Sequence, residues 1–151
     1  QVSRVLVLLT LAFILSGPSC EAADFLTIRP PLGLPASLPV PATNPLTWEK
    51  IQLGRRLFFD PTLSNNGTMS CALCHIPTQG FTVNEARVAV GIGGQTTRRN
   101  SQSLYNAAYH QALFYDGREF TLEDQVLGPL THPVEMGNPS SGVVIHNLQQ
   151  R

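Results

Sequence analysis

Apolar residues recur at helical spacing in several stretches of the chain, and no stretch alternates as a strand would. Trp48, Ile51, Arg55 and Phe58 fall on one stripe, with Leu57 beside it. This pattern predicts a helix from about Thr47, a fitting N-cap, to Phe58, closed by Asp60-Pro61. Gly54 weakens that helix by about 1 kcal/mol, so a bulky neighbour is expected against it. Ser64-Asn65-Asn66-Gly67 reads as a turn. A second helix is predicted from Ser103 to about His110, with Leu104, Ala107 and Ala108 inward. A third starts at Thr121, with Leu122, Val126 and Leu127 apolar. Thr121 and Asp124 resemble a capping box with Asp in place of Glu, and Gly128-Pro129 is expected to stop or kink the helix. A last helix begins near Val143.

Between these helices the chain is loop. Ile76 to Phe81 is bracketed by Pro77 and Gly80, and Phe114 to Arg118 is a turn. Val88 to Arg99 is Gly-rich, but Gly91-Ile92-Gly93-Gly94 lacks the third spaced glycine of a dinucleotide site and reads as a flexible loop. His132 to Gly137 is a further loop. The class predicted is all-α with long loops.

The beginning of the chain follows another pattern. Residues 1–23 carry Arg4, an apolar run from Val5 to Leu15 broken only by Thr10, and small residues around Cys20-Glu21-Ala22. The run is too short to span a bilayer and has the length of a signal-peptide core. Cys20 as a lipidated cysteine is the weaker reading, because Gly17-Pro18-Ser19 before it is a poor lipobox. Residues 24–46 form a Pro-rich arm, with Pro30, Pro31, Pro35, Pro39, Pro41 and Pro45, where no helix or central strand is expected. Residues 47–151 are then one domain. The chain starts with Gln and stops at Arg151 inside the last predicted helix, so it reads as a fragment of a longer protein.

Formal net charge is zero and 13% of residues are charged, which leaves no electrostatic case for nucleic acid. Of the three cysteines, two stand in Cys71-Ala72-Leu73-Cys74-His75. This C-x-x-C-H spacing is the attachment signature of a c-type haem. Each thiol forms a thioether to a vinyl group, and the adjacent histidine is held beneath the iron. Zinc binding would need a second ligand pair, and no cysteine lies downstream. A thioredoxin-like pair would need a βαβ setting. Covalent haem agrees with export, since in bacteria it is attached outside the cytoplasm.

The sixth iron position decides the chemistry: a second strong ligand makes an electron carrier, an open position a catalyst. Met69, Met136, His110, His132 and His146 are the candidates. Met69 lies on the motif's own side. His110 suits a core or surface position. His132 and Met136 lie in a loop able to approach the iron. Gln125 and Glu135, ten residues apart across the Gly-Pro break, are placed to fold toward one point. A carboxylate there would move the peroxide proton between oxygens.

Leu53 to Asp60, Leu63-Ser64, Ser70 to His75, Arg99-Asn100-Ser101, Phe114 to Arg118, Leu122 to Gln125, Gly128-Pro129 and Glu135-Met136 together resemble the bacterial dihaem cytochrome c peroxidase and MauG family. The likeness runs in order from about Trp48 to Gly137 and covers only the N-terminal, peroxidatic haem domain. It implies a cytochrome c-like fold. It implies haem c on Cys71 and Cys74, with His75 as proximal ligand. It implies Gln125, Pro129 and Glu135 in the distal pocket, Glu135 being catalytic. It also implies that Asn100 helps bind calcium at the interface with a second haem domain. The activity implied is reduction of hydrogen peroxide to water, with electrons from a cytochrome c or a cupredoxin passing through the second haem in the periplasm. MauG-like oxidation of a partner protein and a plain electron-transfer cytochrome are the alternatives, and a homodimer is among the assemblies implied. Two departures from the family stand out. No histidine lies between His75 and His110, so the haem is expected to be five-coordinate or water-bound from the start. Tyr115 stands where the family usually has a Trp electron relay.

Overall fold

Residues 28–150 are described by a computed structural model of the chain. The expected export segment, with Cys20, lies outside them, as does the start of the Pro-rich arm. The described part of the arm is mostly exposed and free of helix and strand. Asn44 fastens its end, donating to Glu123 Oε1 at 2.9 Å and accepting from Lys50 Nζ at 2.7 Å.

Four helices follow. Helix α1 (Trp48–Phe59) starts at Thr47, whose hydroxyl accepts from the Lys50 amide at 3.3 Å. Helix α2 (Cys71–Cys74) is a single turn carrying both cysteines of the attachment motif. Helix α3 (Leu122–Thr131) is capped by Thr121, which accepts from the Asp124 amide at 3.1 Å. Helix α4 (Ser141–Gln149) is capped by Ser140. Two expectations change. The stretch from Ser103 to His110 is not a helix: only Ala107–Tyr109 makes a 3₁₀ turn, because Asn106 adopts φ 58° and breaks the run. Gly128-Pro129 does not stop α3, which runs to Thr131. Pro129 sits in the final turn, where its missing amide leaves a single backbone bond unmade.

No strand forms among the described residues. Three loops are instead pinched shut by single bridges, Ile76 to Thr82, Val90 to Thr96 and Leu113 to Glu119. The core is small: Leu63, Met69, Ile92, Met136 and Val144 cluster, with Leu57, Cys74, Leu130 and Leu148 packed against them. Helix α4 lies on the turn Pro61–Leu63, and α1 lies on α2. Leu122, Val126 and Leu127 of α3 remain exposed, as do Trp48, Leu53 and Phe59 of α1. Gly54 meets no bulky neighbour: a Cβ there would find nothing within 4 Å among the described residues. Asn138, fully buried, ties the layers together by donating to Leu63 O at 2.7 Å and Leu130 O at 2.8 Å.

Candidate active site

A cleft of about 610 Å³ gathers most of the chemistry read from the sequence. Cys74 and His75 stand on one side, at the end of α2. Gln125, Pro129, His132 and Glu135 reach it from α3 and the loop that follows. Asn100 and Tyr115 also line it. Its volume lies within the range of about 300–1,000 Å³ usual for cofactor sites.

The ring of His75 is oriented by its own loop. Nδ1 lies 3.0 Å from Phe81 O. A carbonyl only accepts, so Nδ1 carries the hydrogen and Nε2 keeps its lone pair for a metal. Phe81 holds that carbonyl in place from the left-handed region, at φ 59°, a conformation that costs a non-glycine residue about 1–2 kcal/mol. Edge-on packing of its ring against Phe58 and Tyr105, at 6.2 and 5.7 Å, fixes the strained residue. Ser101 Oγ donates to Cys74 O and fastens the end of α2 to the connection behind it.

The thiols of Cys71 and Cys74 are free and half-buried. Burial pushes the Cys71 thiol above the ordinary cysteine range. Cys74 is pushed up by burial first, then by the Glu135 carboxylate and by Cys71. Glu135 and Cys74 line the same cleft. Cys74 Sγ is itself 3.8 Å from Val90 O.

The loop bearing Glu135 is built from backbone bonds. Glu135 N and Gly137 N donate to His132 O at 3.1 and 2.9 Å, and Met136 N donates to Pro129 O at 3.2 Å. The Gly-rich connection supports it from behind: Ile92 N donates to Val134 O at 3.0 Å and Glu135 O at 2.9 Å. Gly91 is pressed so close that a Cβ there would lie 1.9 Å from Val134 O. The connection read from the sequence as a flexible loop is therefore the buttress of the acidic loop. Sequence reasoning missed Gly91, Ile92 and Asn138; glycines packed with φ in the ordinary range leave no signal in sequence, as at Gly91 with φ −102°.

His132 lines the cleft and His110 lines it too, whereas His146 lies exposed on α4. Met136 does not face the cleft. It is buried in the core with Met69, against Leu63, Ile92 and Val144, which removes it from the sixth-ligand candidates. Tyr115 is 59% exposed, with the Arg99 guanidinium 5.8 Å from its ring centre. Asp116 is held below the usual carboxylate range, chiefly by its hydrogen bond from Arg118 at 2.8 Å.

A haem fits the groups present. Two thiols three residues apart on one turn, an imidazole with a committed Nδ1 and a partly apolar cleft containing Ala89, Leu113 and Phe114 are the donor set and walls it needs. Calcium is expected only at an interface shared with a second haem domain. Asn100 Oδ1 accepts from Ser101 N at 2.9 Å while its Nδ2 donates to Val83 O at 2.6 Å. Among the described residues no group of three or more His, Cys, Asp or Glu side chains converges on a metal site.

The family model of the di-haem cytochrome c peroxidases matches residues 48–151. The methylamine utilization protein MauG of Methylorubrum extorquens is 41% identical over 126 residues, 83% of this chain and 35% of that protein. The cytochrome c peroxidase Ccp of Escherichia coli is 36% identical over 112 residues, 74% of this chain and 24% of that protein. Among solved structures, a MauG-like protein associated with microbial copper homeostasis superposes with a TM-score of 0.68 at 36% identity. That match covers 80% of this chain and 37% of the other. The diheme peroxidase BthA from Burkholderia thailandensis gives 0.63 at 35% identity, covering 74% of this chain and 33% of its own. The chain thus spans about a third of the length of the relatives it matches. On the attachment motif, the cleft built around it and these likenesses, the chain belongs to the di-haem cytochrome c peroxidase family.

Proposed function

We propose that this chain forms the peroxide-cleaving haem domain of a periplasmic cytochrome c peroxidase. The observation that carries the reading is the sharing of one cleft by His75 and the trio Gln125, Pro129 and Glu135. Cys71 and Cys74 would hold the haem and His75 Nε2 its iron. When bound, the haem supplies a redox-active iron at which the oxygen–oxygen bond of hydrogen peroxide is broken. The chain's own residues do the rest. Pro129, with no amide to offer, keeps the wall beside the substrate rigid and free of a backbone donor. Gln125 orients the peroxide by hydrogen bonding. The Glu135 carboxylate takes the proton from one peroxide oxygen and returns it to the other, so that the departing oxygen leaves as water.

Electrons are supplied by a cytochrome c or a small copper protein through a second haem carried elsewhere in the whole protein, with Tyr115 as the relay at the edge of the cleft. The exposure of Tyr115 supports contact with such a partner surface. MauG-like oxidation of residues in a partner protein is the second reading, favoured by the 41% identity to MauG of Methylorubrum extorquens and by the lack of a histidine between His75 and His110. A simple electron carrier loses ground because Met136 is packed in the core.

Replacing Glu135 by Gln tests the reading. The variant keeps the side chain's shape and loses the base, so the bimolecular rate with peroxide should fall by about 10²–10⁴ while haem attachment is unchanged. A rate within a few-fold of the unaltered protein removes Glu135 from its role.

A further inference from the structure

We propose that Phe114 is a positioning residue: clamped by Arg118, its ring sets where α3 holds Gln125 and Pro129 along the cleft. This rests on the peroxide-cleaving reading above and deepens it. Phe114, Arg118, Gln125 and Pro129 all line the cleft. Gly128 and Pro129 follow Gln125 by three and four residues on α3, so the three share one face of the helix. The tip of the Phe114 ring meets that face at Gly128. A Cβ on Gly128 would lie 2.9 Å from Phe114 Cζ, closer than real Cβ atoms come. Glycine is thus the residue that lets ring and helix touch at this point.

The ring is held on its other sides by its own turn. Phe114 has φ 62°, a left-handed conformation that an aromatic residue rarely adopts. The turn closes around it: Leu113 N donates to Glu119 O at 2.7 Å and Gly117 N to Phe114 O at 3.3 Å. The Arg118 guanidinium lies over the ring, its carbon 3.4 Å from the ring centre. Arg118 Nη1 donates to both Asp116 carboxylate oxygens, at 2.8 and 3.0 Å. Both side chains are about half exposed, so this ion pair adds little by itself. Its effect is to hold a flat cation against the face of the ring.

Gln125 needs such a support. Among the described residues its side chain makes no hydrogen bond, so its place follows that of the helix carrying it. Leu122, Val126 and Leu127 of the same helix are exposed, so those side chains do not hold it in place. Orienting a molecule as small as peroxide tolerates little movement: a displacement of about 1 Å can cost about 10²-fold in rate. Phe114 therefore acts on the substrate through α3, and Arg118 acts through Phe114.

The test uses the haem-loaded protein with G128A, F114L, F114L/G128A, R118K and F114L/R118K. Stopped-flow gives the rate with hydrogen peroxide. A readout independent of turnover is the infrared C–O stretch of the ferrous carbon monoxide adduct, which responds to polar groups near the bound gas. G128A, which drives a methyl group into the ring, should react slower by about tenfold or more and shift or broaden the band. F114L should be slow as well. In F114L/G128A the new methyl fills the space left by the ring tip, so the pair should react faster than either single variant. R118K keeps the charge beside Asp116 but loses the flat surface. It should slow the reaction and broaden the band, and should cost nothing further in F114L, the mark of two residues acting in series. R118K changes only a half-exposed side chain, so it carries the test if G128A fails to fold or to attach haem. A G128A protein matching the unaltered one, a double variant no faster than G128A, an R118K without effect, or an R118K loss undiminished in F114L each overturns the assignment. If E135Q cleaves peroxide normally, the underlying reading fails. If E135Q is slow while G128A and R118K match the unaltered protein, only the assignment of Phe114 and Arg118 fails.

Discussion

At the scale of single residues, the site depends on a few side chains whose freedom has been removed. His75 is held by a carbonyl that Phe81 presents from a strained backbone, which leaves Nε2 as the nitrogen free for the proposed iron. The cysteines are the counterpart. In the haem-free protein both thiols are pushed above the ordinary cysteine range, chiefly by burial. Folding therefore favours their neutral form. The contribution to stability is complete below the usual thiol range and is lost as pH climbs through the raised values. Alkylation of the haem-free chain by iodoacetamide should consequently be slow at pH 8 and accelerate only at higher pH than a free cysteine peptide does. Equal rates for protein and peptide at pH 8 would show that the thiols are not shielded. These residues were legible in sequence because C-x-x-C-H binds chemistry to a fixed spacing. The bond to Phe81 was not, since it depends on a positive φ that an aromatic residue rarely adopts.

At the scale of elements, capping and apolar spacing account for what could be foreseen. Thr47 and Thr121 act as the predicted N-caps of α1 and α3, and α4 starts two residues before the expected Val143. The misreadings have local causes. Asn106 in the left-handed region cancels the helix that Leu104, Ala107 and Ala108 suggested. Pro129 is tolerated because it falls in the last turn of α3. The Gly-rich connection is the larger lesson: its glycines serve close approach as well as turning. Gly91→Ala would drive a methyl group into Val134 O and displace the backbone on which Glu135 stands. A misplacement of about 1 Å can cost about 10²-fold in rate. The G91A protein should attach haem normally yet react with peroxide slower by roughly that factor. An unimpaired rate, measured by stopped flow on protein with full haem content, would show that the connection does not position Glu135.

At the scale of the whole molecule, the core is too small for the chain around it. Among the described residues five form the buried apolar cluster, while large side chains of α1 and α3 stay exposed. A covalently held haem stays attached on unfolding, so filling the cleft with it would stabilise the fold by removing its apolar surface from water only in the folded state. The double variant C71S/C74S, unable to attach haem, should melt at least about 10 °C lower than the loaded chain and with less cooperativity. Matching melting curves by circular dichroism would show that the fold does not depend on its cofactor. Exposed apolar faces on α1 and α3 also suit a chain that covers about a third of its relatives' length.

The proposed function requires a haem that would take only His75 of this chain as iron ligand and leave peroxide to Gln125 and Glu135, which line the same cleft. Electron paramagnetic resonance of the ferric, haem-loaded chain addresses it most directly. A high-spin signal that is lost when one equivalent of hydrogen peroxide is added is expected. A wholly low-spin spectrum, unchanged by peroxide, would contradict it.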